Sequence, residues 1–160
     1  MDTLQIINAL KDVPSFQGVY PSDLLPQNIK YGTFIINLDK HTQPGSHWVG
    51  VYFYKSFVNC FYFDSYGLFP PLFSITKFIK QHCIVWDYNR RQLQGPTTDT
   101  CGHYACLFAL FMDRGYSPTE YINQFTLQPD VQVKQLFHQY LGPLCNSRGG
   151  QVCLPLIKGT

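Results

Sequence analysis

The sequence predicts an α+β domain in which helices flank a central, mainly antiparallel sheet. The chain has 160 residues, about the size of one domain, and 45% of them are hydrophobic, which is enough for a single core. Runs of β-branched and aromatic residues lie between positions 31 and 63, and apolar residues at helical spacing or in a long run lie on either side of them. We therefore expect one domain over residues 1–160.

The first 30 residues are predicted to form a helix followed by an extended, turn-rich arm. Thr3 to Leu10 has apolar residues at helical spacing. Proline and glycine then punctuate the chain and favour turns, at Pro14, Gly18, Pro21 and Pro26.

Three strands are predicted next. Tyr31 to Asn37 and Trp48 to Tyr54 are β-branched and aromatic with partial alternation, and Asn59 to Phe63 repeats that pattern after a short polar break. These runs predict an antiparallel sheet in the middle of the chain.

The second half of the chain is predicted to be mainly helical. Gly102 to Met112 is nearly all apolar, and its length favours a buried helix over a strand. Residues 142–160 are rich in glycine and proline and are predicted to form an irregular tail. The other predicted elements are helices at Leu72 to Gln81, Pro118 to Phe125 and Val131 to Leu141, a strand at Cys83 to Tyr88, and a loop at Asn89 to Thr100.

The composition gives two further expectations. Aromatic residues make up 16% of the chain and charged residues 14%, against roughly 25% charged residues in an ordinary domain. This balance fits either a surface that contacts other macromolecules or a small aromatic-rich core. No stretch reaches the roughly 18–20 apolar residues of a membrane span, so the sequence predicts a soluble protein.

The six cysteines are not expected to form a disulfide framework. The chain begins without a basic segment followed by an apolar one, so we expect an intracellular protein with reduced thiols. Cys101, His103 and Cys106 lack the spacing of paired zinc ligands, and no metal is expected.

A hairpin is predicted to bring His47 and Asp64 together. Residues equidistant from a turn face each other, and the midpoint of this pair falls between Lys55 and Ser56, within the polar break. A carboxylate beside an imidazole fixes its tautomer and stabilises the imidazolium that forms when the ring takes a proton. The pair could serve as a general base, although an ordinary hydrogen bond at a strand end would look the same.

Cys101 stands where a polar loop gives way to the apolar helix. Unpaired amides and the helix dipole stabilise a thiolate at such a position. Gly102 allows close packing at the helix start. Gln94 precedes Cys101 in the same loop, so its amide could return toward the sulfur and bind a developing oxyanion together with the Cys101 backbone N–H.

These residues resemble adenain, the adenovirus maturation protease, and most closely its relatives in Polinton/Maverick elements, adintoviruses and virophages. The resemblance covers roughly residues 15–125. The spacings from His47 to Asp64 and from Gln94 to Cys101 match adenain, which has Glu where this chain has Asp64. The motifs that carry the resemblance are His47-Trp48, Phe63-Asp64 followed by Tyr66-Gly67, Gln94-Gly95-Pro96 and Cys101-Gly102.

The resemblance implies a circularly permuted papain-like cysteine protease fold, with the catalytic cysteine at the start of a buried helix. Residue by residue, it implies Cys101 as nucleophile, His47 as base, Asp64 as the acid that orients the base and Gln94 as oxyanion donor. Residues beside them, Gly45, Trp48 and Gly102, are expected to contact substrate. No metal or organic cofactor is implied.

The resemblance also implies viral capsid precursors as substrates, cut near glycine, and a location in the virus factory and virion. Cys83 stands where adenain carries the cysteine that bonds an activating peptide, although a half-buried strand cysteine fits equally. Adenain is stimulated by DNA, and the only local candidates for such a contact are sparse basic residues, Lys77, Lys80, Arg90 and Arg91. A monomer is expected.

Two alternatives remain open. A SUMO or NEDD8 deconjugating protease shares the same order of His, Asp, Gln and Cys, with a shorter usual spacing from Gln to Cys. A catalytically silent capsid-associated binding module would make the aromatic excess the main feature. The last four residues, Ile157 to Thr160, fit the cleavage pattern of the family, which raises the hypothesis that the enzyme generates this end itself.

Overall fold

The computed structural model describes residues 1–142 as a five-stranded sheet with helices on both faces. The helices are α1 (Thr3–Leu10), α2 (Phe73–His82), α3 (Cys101–Asp113), α4 (Pro118–Ile122) and α5 (Pro129–Leu141). The strands are β1 (Phe16–Pro21), β2 (Gly32–Asn37), β3 (Trp48–Phe53), β4 (Asn59–Phe63) and β5 (Val85–Tyr88). Every predicted helix and strand is present, with bounds shifted by a few residues at several ends.

The sheet is mixed, so the prediction of a mainly antiparallel sheet was wrong. The strands lie in the order β1-β2-β3-β4-β5. The two central pairings are antiparallel, whereas β1 runs parallel to β2 and β5 runs parallel to β4. Helix α2 forms the crossover between β4 and β5, and such a connection returns the chain in the same direction. Local periodicity gave no indication of the direction of either edge strand.

The arm predicted between residues 14 and 30 contains strand β1. Its pairing with β2 is irregular between Phe16 and Val19, where Gly18 has a φ of 112°. Pro21 is the last residue of the strand. Proline has no amide hydrogen to donate, and it is tolerated on an edge strand because its nitrogen can lie on the side that has no neighbouring strand. Because these residues favour turns, the sequence predicted an extended arm here and no strand.

Helix α3 is the centre of the larger core. From Cys101 to Met112 every residue except His103 is buried. The helix packs across β2 and β3 and is flanked by α1, α4 and α5. Phe108 of α3 stacks on Phe63 of β4 with ring centroids 4.9 Å apart and planes 12° from parallel. This stack fixes the C-terminal end of β4 against α3.

The opposite face of the sheet is covered by α2. Phe78 of this helix meets Phe34 and Phe53 edge to face, with ring centroids 5.5 Å and 5.4 Å apart. Ile75 and Ile79 complete the apolar side of the helix. Both faces of the central strands are therefore buried, which explains why these strands read as nearly continuous apolar runs.

Two predictions fall on the C-terminal residues. The tail is predicted for 142–160, and all of it beyond residue 142 lies outside the described residues, as do Cys145, Cys153 and the Ile157 to Thr160 sequence. Within residues 1–142, none of the helices has the length and apolar character needed to cross a membrane.

Replacing Phe108 by alanine should lower the free energy of unfolding by about 3–5 kcal/mol, because it removes a fully buried ring and opens a cavity beside Phe63. Chemical denaturation followed by circular dichroism measures the change. Phe73→Ala is the matched control: this side chain is 81% exposed, so its loss should change stability by no more than about 0.5 kcal/mol. Equal effects of the two substitutions would contradict the packing described for α3.

Candidate active site

Three predicted site residues lie at element ends around one cleft, and a fourth lies in a loop beside them. His47 immediately precedes β3, Asp64 immediately follows β4, Cys101 opens α3, and Gln94 lies in the loop between β5 and α3. Since β3 and β4 are antiparallel, the start of one strand and the end of the other meet at the same edge of the sheet. His47, Gln94 and Cys101 line a cleft of about 630 Å³.

His47 and Asp64 form a buried hydrogen-bonded pair. The His47 Nε2 and Asp64 Oδ1 atoms are 2.7 Å apart, and the two residues are 9% and 2% exposed.

The hairpin register differs from the predicted one by two residues. The last rung of the β3–β4 ladder joins Gly50 to Phe63, so continuing the ladder would place Val49, rather than His47, opposite Asp64. His47 is therefore a diagonal neighbour of Asp64. Positions two residues apart on a strand share a face of the sheet, and long side chains can reach each other along the diagonal. The two side chains meet for this reason, although they are not directly opposite each other.

Asp64 is held by Asn89, which sequence analysis did not single out, and by Tyr66. Asn89 clamps it from both sides: Asn89 Oδ1 accepts the Asp64 amide at 2.9 Å, and Asn89 Nδ2 donates to the Asp64 carbonyl at 2.6 Å. The Tyr66 amide donates to Asp64 Oδ1 at 2.9 Å, and the Tyr66 ring stacks on His47 with centroids 4.8 Å apart. The one indication in the sequence was the position of Asn89 directly after a predicted strand.

The charges of His47 and Cys101 are coupled. Because Nε2 faces Asp64, Nδ1 is the ring nitrogen left to face the thiol. Burial alone would lower the pKa of His47, but its hydrogen bonds with Asp64 and Cys101 raise that pKa to about 9. Burial alone would raise the pKa of Cys101, but hydrogen bonds from His47 and from the amides of Trp48 and Gly102 hold it below its ordinary value. The arrangement favours a thiolate paired with an imidazolium.

Gln94 is fixed in one orientation. Its Nε2 donates to the Thr98 carbonyl at 2.8 Å, and its Oε1 accepts the Ser65 hydroxyl at 2.6 Å. A carbonyl can only accept, so the nitrogen must face Thr98 and the amide cannot be flipped. Among residues 1–142, the second Nε2 hydrogen has no acceptor, and Gln94 lines the cleft. Ser65 is a further buried residue of the site that sequence analysis missed.

The three residues expected to contact substrate differ in their surroundings. Gly45 and Trp48 line the cleft. Gly102 instead faces Met1 of the same chain: a Cβ at Gly102 would lie 2.9 Å from the Met1 Cβ. The Met1 carbonyl also accepts the Trp48 indole N–H at 3.0 Å. Gly102 is therefore closely packed against Met1, and its contact with substrate stays a prediction.

Cys83 and the basic residues lie away from this cleft. The Cys83 Sγ is 3.0 Å from the Sγ of Cys60, and Cys83 is half-buried. Arg90 pairs with Asp87 at 2.9 Å, and Arg91 donates to the Phe125 carbonyl at 2.8 Å. Two of the four basic residues considered for DNA contact are thus engaged by groups of the chain itself.

The known proteins that this chain is similar to are named as proteases. The chain is 33% identical over 101 residues to a putative thiol protease of Acanthamoeba polyphaga mimivirus, a match that covers 58% of this chain and 33% of the relative. Two crystal structures of the ASFV pS273R protease share its fold. One has a TM-score of 0.59 at 14% identity, covering 89% of this chain and 65% of that one. The other has a TM-score of 0.52 at 21% identity, covering 71% and 45%. No protein-family model matches the chain.

These comparisons establish the class of fold. The chain has the α+β fold of the ASFV protease, with a mixed five-stranded sheet and flanking helices. It spans about a third of the length of its mimivirus relative.

The pH dependence of Cys101 alkylation tests whether His47 lowers the pKa of the thiol, and it needs no substrate. His47→Ala should move the midpoint of iodoacetamide alkylation at Cys101 to higher pH, because it removes the hydrogen bond and the positive charge that favour the thiolate. Peptide mapping by mass spectrometry separates Cys101 from the other cysteines. His138→Ala, which removes an exposed imidazole from α5, should leave the midpoint in place. An unchanged midpoint in His47→Ala would contradict the pairing.

Proposed function

We propose that this chain is a cysteine endopeptidase that cleaves viral capsid precursor proteins near glycine during virion maturation. One observation carries the proposal: His47 lies between the Asp64 carboxylate and the Cys101 thiol, and the pKa of the imidazole is raised while the pKa of the thiol is lowered. Opposite shifts in a contacting pair within a cleft are what an activated nucleophile requires.

The proposed reaction follows from this pair. The Cys101 thiolate attacks a peptide carbonyl, and the resulting oxyanion accepts hydrogen bonds from the Gln94 Nε2 and the Cys101 backbone N–H. The His47 imidazolium then gives its proton to the leaving amine, and the C–N bond breaks to leave an acyl-enzyme. The neutral imidazole takes a proton from water, which attacks the thioester and regenerates the thiolate. Asp64 keeps the ring oriented throughout.

The chain order supports a circularly permuted papain-like arrangement. Papain-like proteases carry their cysteine near the start of the mature chain, with the histidine far downstream. Here His47 and Asp64 precede Cys101, yet the cysteine still opens a buried helix that packs on the sheet. The same spatial arrangement can arise in both cases if the chain begins at a different point of the fold.

The source of the relatives supports a viral substrate. The mimivirus relative carries the name of a thiol protease, and the ASFV structures are of a protease. Trp48 lines the cleft and would narrow the approach to Cys101, and a narrow approach favours substrate residues without side chains. Glycine next to the cut bond is the expected consequence.

Several expectations stay predictions. These are an activating peptide linked through Cys83, stimulation by DNA, a monomeric state, and a location in the virus factory and virion. The contact between Cys83 and Cys60 bears on the first of them, because a peptide thiol would have to reach a sulfur that already touches another.

A panel of glycine-containing peptides, tested with and without duplex DNA, should show cleavage by the wild type and none by Cys101→Ala. Cys106→Ala removes a buried thiol further along α3 and should retain activity, because Cys106 lies outside the cleft. Liquid chromatography with mass spectrometry identifies the cut bond. Preferential cleavage of a ubiquitin-like fusion would favour the deconjugating alternative, and absence of thiol-dependent turnover under every condition would favour a silent binding module.

The pH dependence of kcat/KM tests the role of Asp64. In the wild type, kcat/KM should decrease at alkaline pH, and the midpoint of this alkaline limb should lie near the His47 pKa of about 9, because the imidazolium is lost above that pH. Asp64→Asn removes the negative charge that favours the imidazolium, so the limb should move to lower pH and kcat/KM should fall by roughly 100-fold. Asp23→Asn is the matched control, since it alters the exposed pair with His41 and should leave the limb in place. A limb that stays near its wild-type position in Asp64→Asn would count against the assignment.

A further inference from the structure

Asp130 joins two parts of the site from a distant helix. It lies in the first turn of α5, beyond every residue assigned so far. Its Oδ2 accepts the Gly95 amide at 2.9 Å, and its Oδ1 accepts the Thr100 hydroxyl at 2.5 Å. Gly95 directly follows Gln94, and Thr100 directly precedes Cys101. One carboxylate therefore holds both ends of the segment between the oxyanion donor and the nucleophile.

The Thr100 hydroxyl does not cap helix α3, although its position at the start of the helix favours that role. Thr100 is the N-cap residue of α3, where a threonine side chain commonly accepts a hydrogen bond from the first turn of the helix. Here the side chain makes no such bond and donates to Asp130 instead. The Thr100 hydroxyl therefore ties the start of α3 to Asp130 rather than to the first turn of its own helix.

The contact at Gly95 extends to the Gln94 side chain. The Gly95 carbonyl accepts the Thr98 hydroxyl at 3.1 Å, and the Thr98 carbonyl accepts the Gln94 Nε2 at 2.8 Å. The Gln94 amide is thus held by a turn whose first amide is anchored to Asp130. A shift of that anchor would move the Gln94 nitrogen relative to Cys101.

We propose that Asp130 is a positioning residue that sets the geometry of the oxyanion site by fixing Gly95 and Thr100 relative to each other. The role rests on the proposed function, because it concerns the step in which the oxyanion forms. Asp130 acts through Gln94 and the start of α3 and has no contact with substrate.

Asp130→Ala should lower kcat by about 100-fold, because displacement of a catalytic group by about 1 Å costs that much, and should change KM by less than about threefold. The alkylation rate of Cys101 should stay at the wild-type value, since the contacts of His47 with Asp64 do not involve Asp130. Asp130→Asn should recover most of kcat, because its amide oxygen can accept the Gly95 amide while its nitrogen donates to the Thr100 hydroxyl.

Asp12→Ala is the control, since it removes an exposed carboxylate and should leave kcat unchanged. The positioning role is overturned if Asp130→Ala keeps kcat within about threefold of the wild type, or if the alkylation rate of Cys101 falls by the same factor as kcat. It is also overturned if kcat of Asp130→Asn is no higher than kcat of Asp130→Ala. Absence of turnover by the wild type would overturn both proposals, whereas an active wild type with an equally active Asp130→Ala variant overturns this one alone.

Thr100→Val provides a second route if Asp130→Ala does not fold. It removes only the hydroxyl that Asp130 accepts and keeps the shape of the buried side chain. We expect it to lower kcat while circular dichroism and Cys101 alkylation stay at wild-type values. An unchanged kcat in folded Thr100→Val would overturn the proposal.

Discussion

The buried hydrogen bond between His47 and Asp64 is the interaction on which the site depends. A carboxylate that is only 2% exposed loses its hydration, which is costly unless other donors replace it. Asp64 Oδ1 receives two such donors, the His47 ring and the Tyr66 amide. The same bond gives the imidazole its orientation and its raised pKa, and through Nδ1 it extends to Cys101. This polar contact therefore contributes to the raised pKa of the imidazole that faces the nucleophile.

The apolar core holds this polar contact in place. Phe63, the residue before Asp64, stacks on Phe108 of the helix that begins at Cys101. The strand that carries the acid and the helix that carries the thiol are thus packed directly against each other. Side chains in a close-packed core have little freedom to shift. The distance between the two polar groups follows from apolar packing as much as from their own attraction.

A second set of hydrogen bonds holds the loop between β5 and α3. Ser65 and Thr98 fix the Gln94 amide, and Asp130 anchors the backbone and side chain on either side of that turn. Loops place functional groups accurately only when rigid elements support them. Here the support comes from the end of β4 and the start of α5. The fold likeness to the ASFV protease at 14–21% identity shows how far sequence can change while the fold remains.

The sequence alone determined helices α1 to α5 and strands β2 to β5, because these follow from local periodicity and from turn residues. That His47, Asp64, Gln94 and Cys101 form one site was implied by the family resemblance. Tertiary structure decided what depends on residues far apart in the chain. It paired β1 and β5 in parallel at the edges and set the hairpin register two residues from the predicted one. It also brought Asn89 to Asp64 and Asp130 to Gly95 and Thr100. No local pattern specifies such partners, since each is chosen by the packing of whole elements.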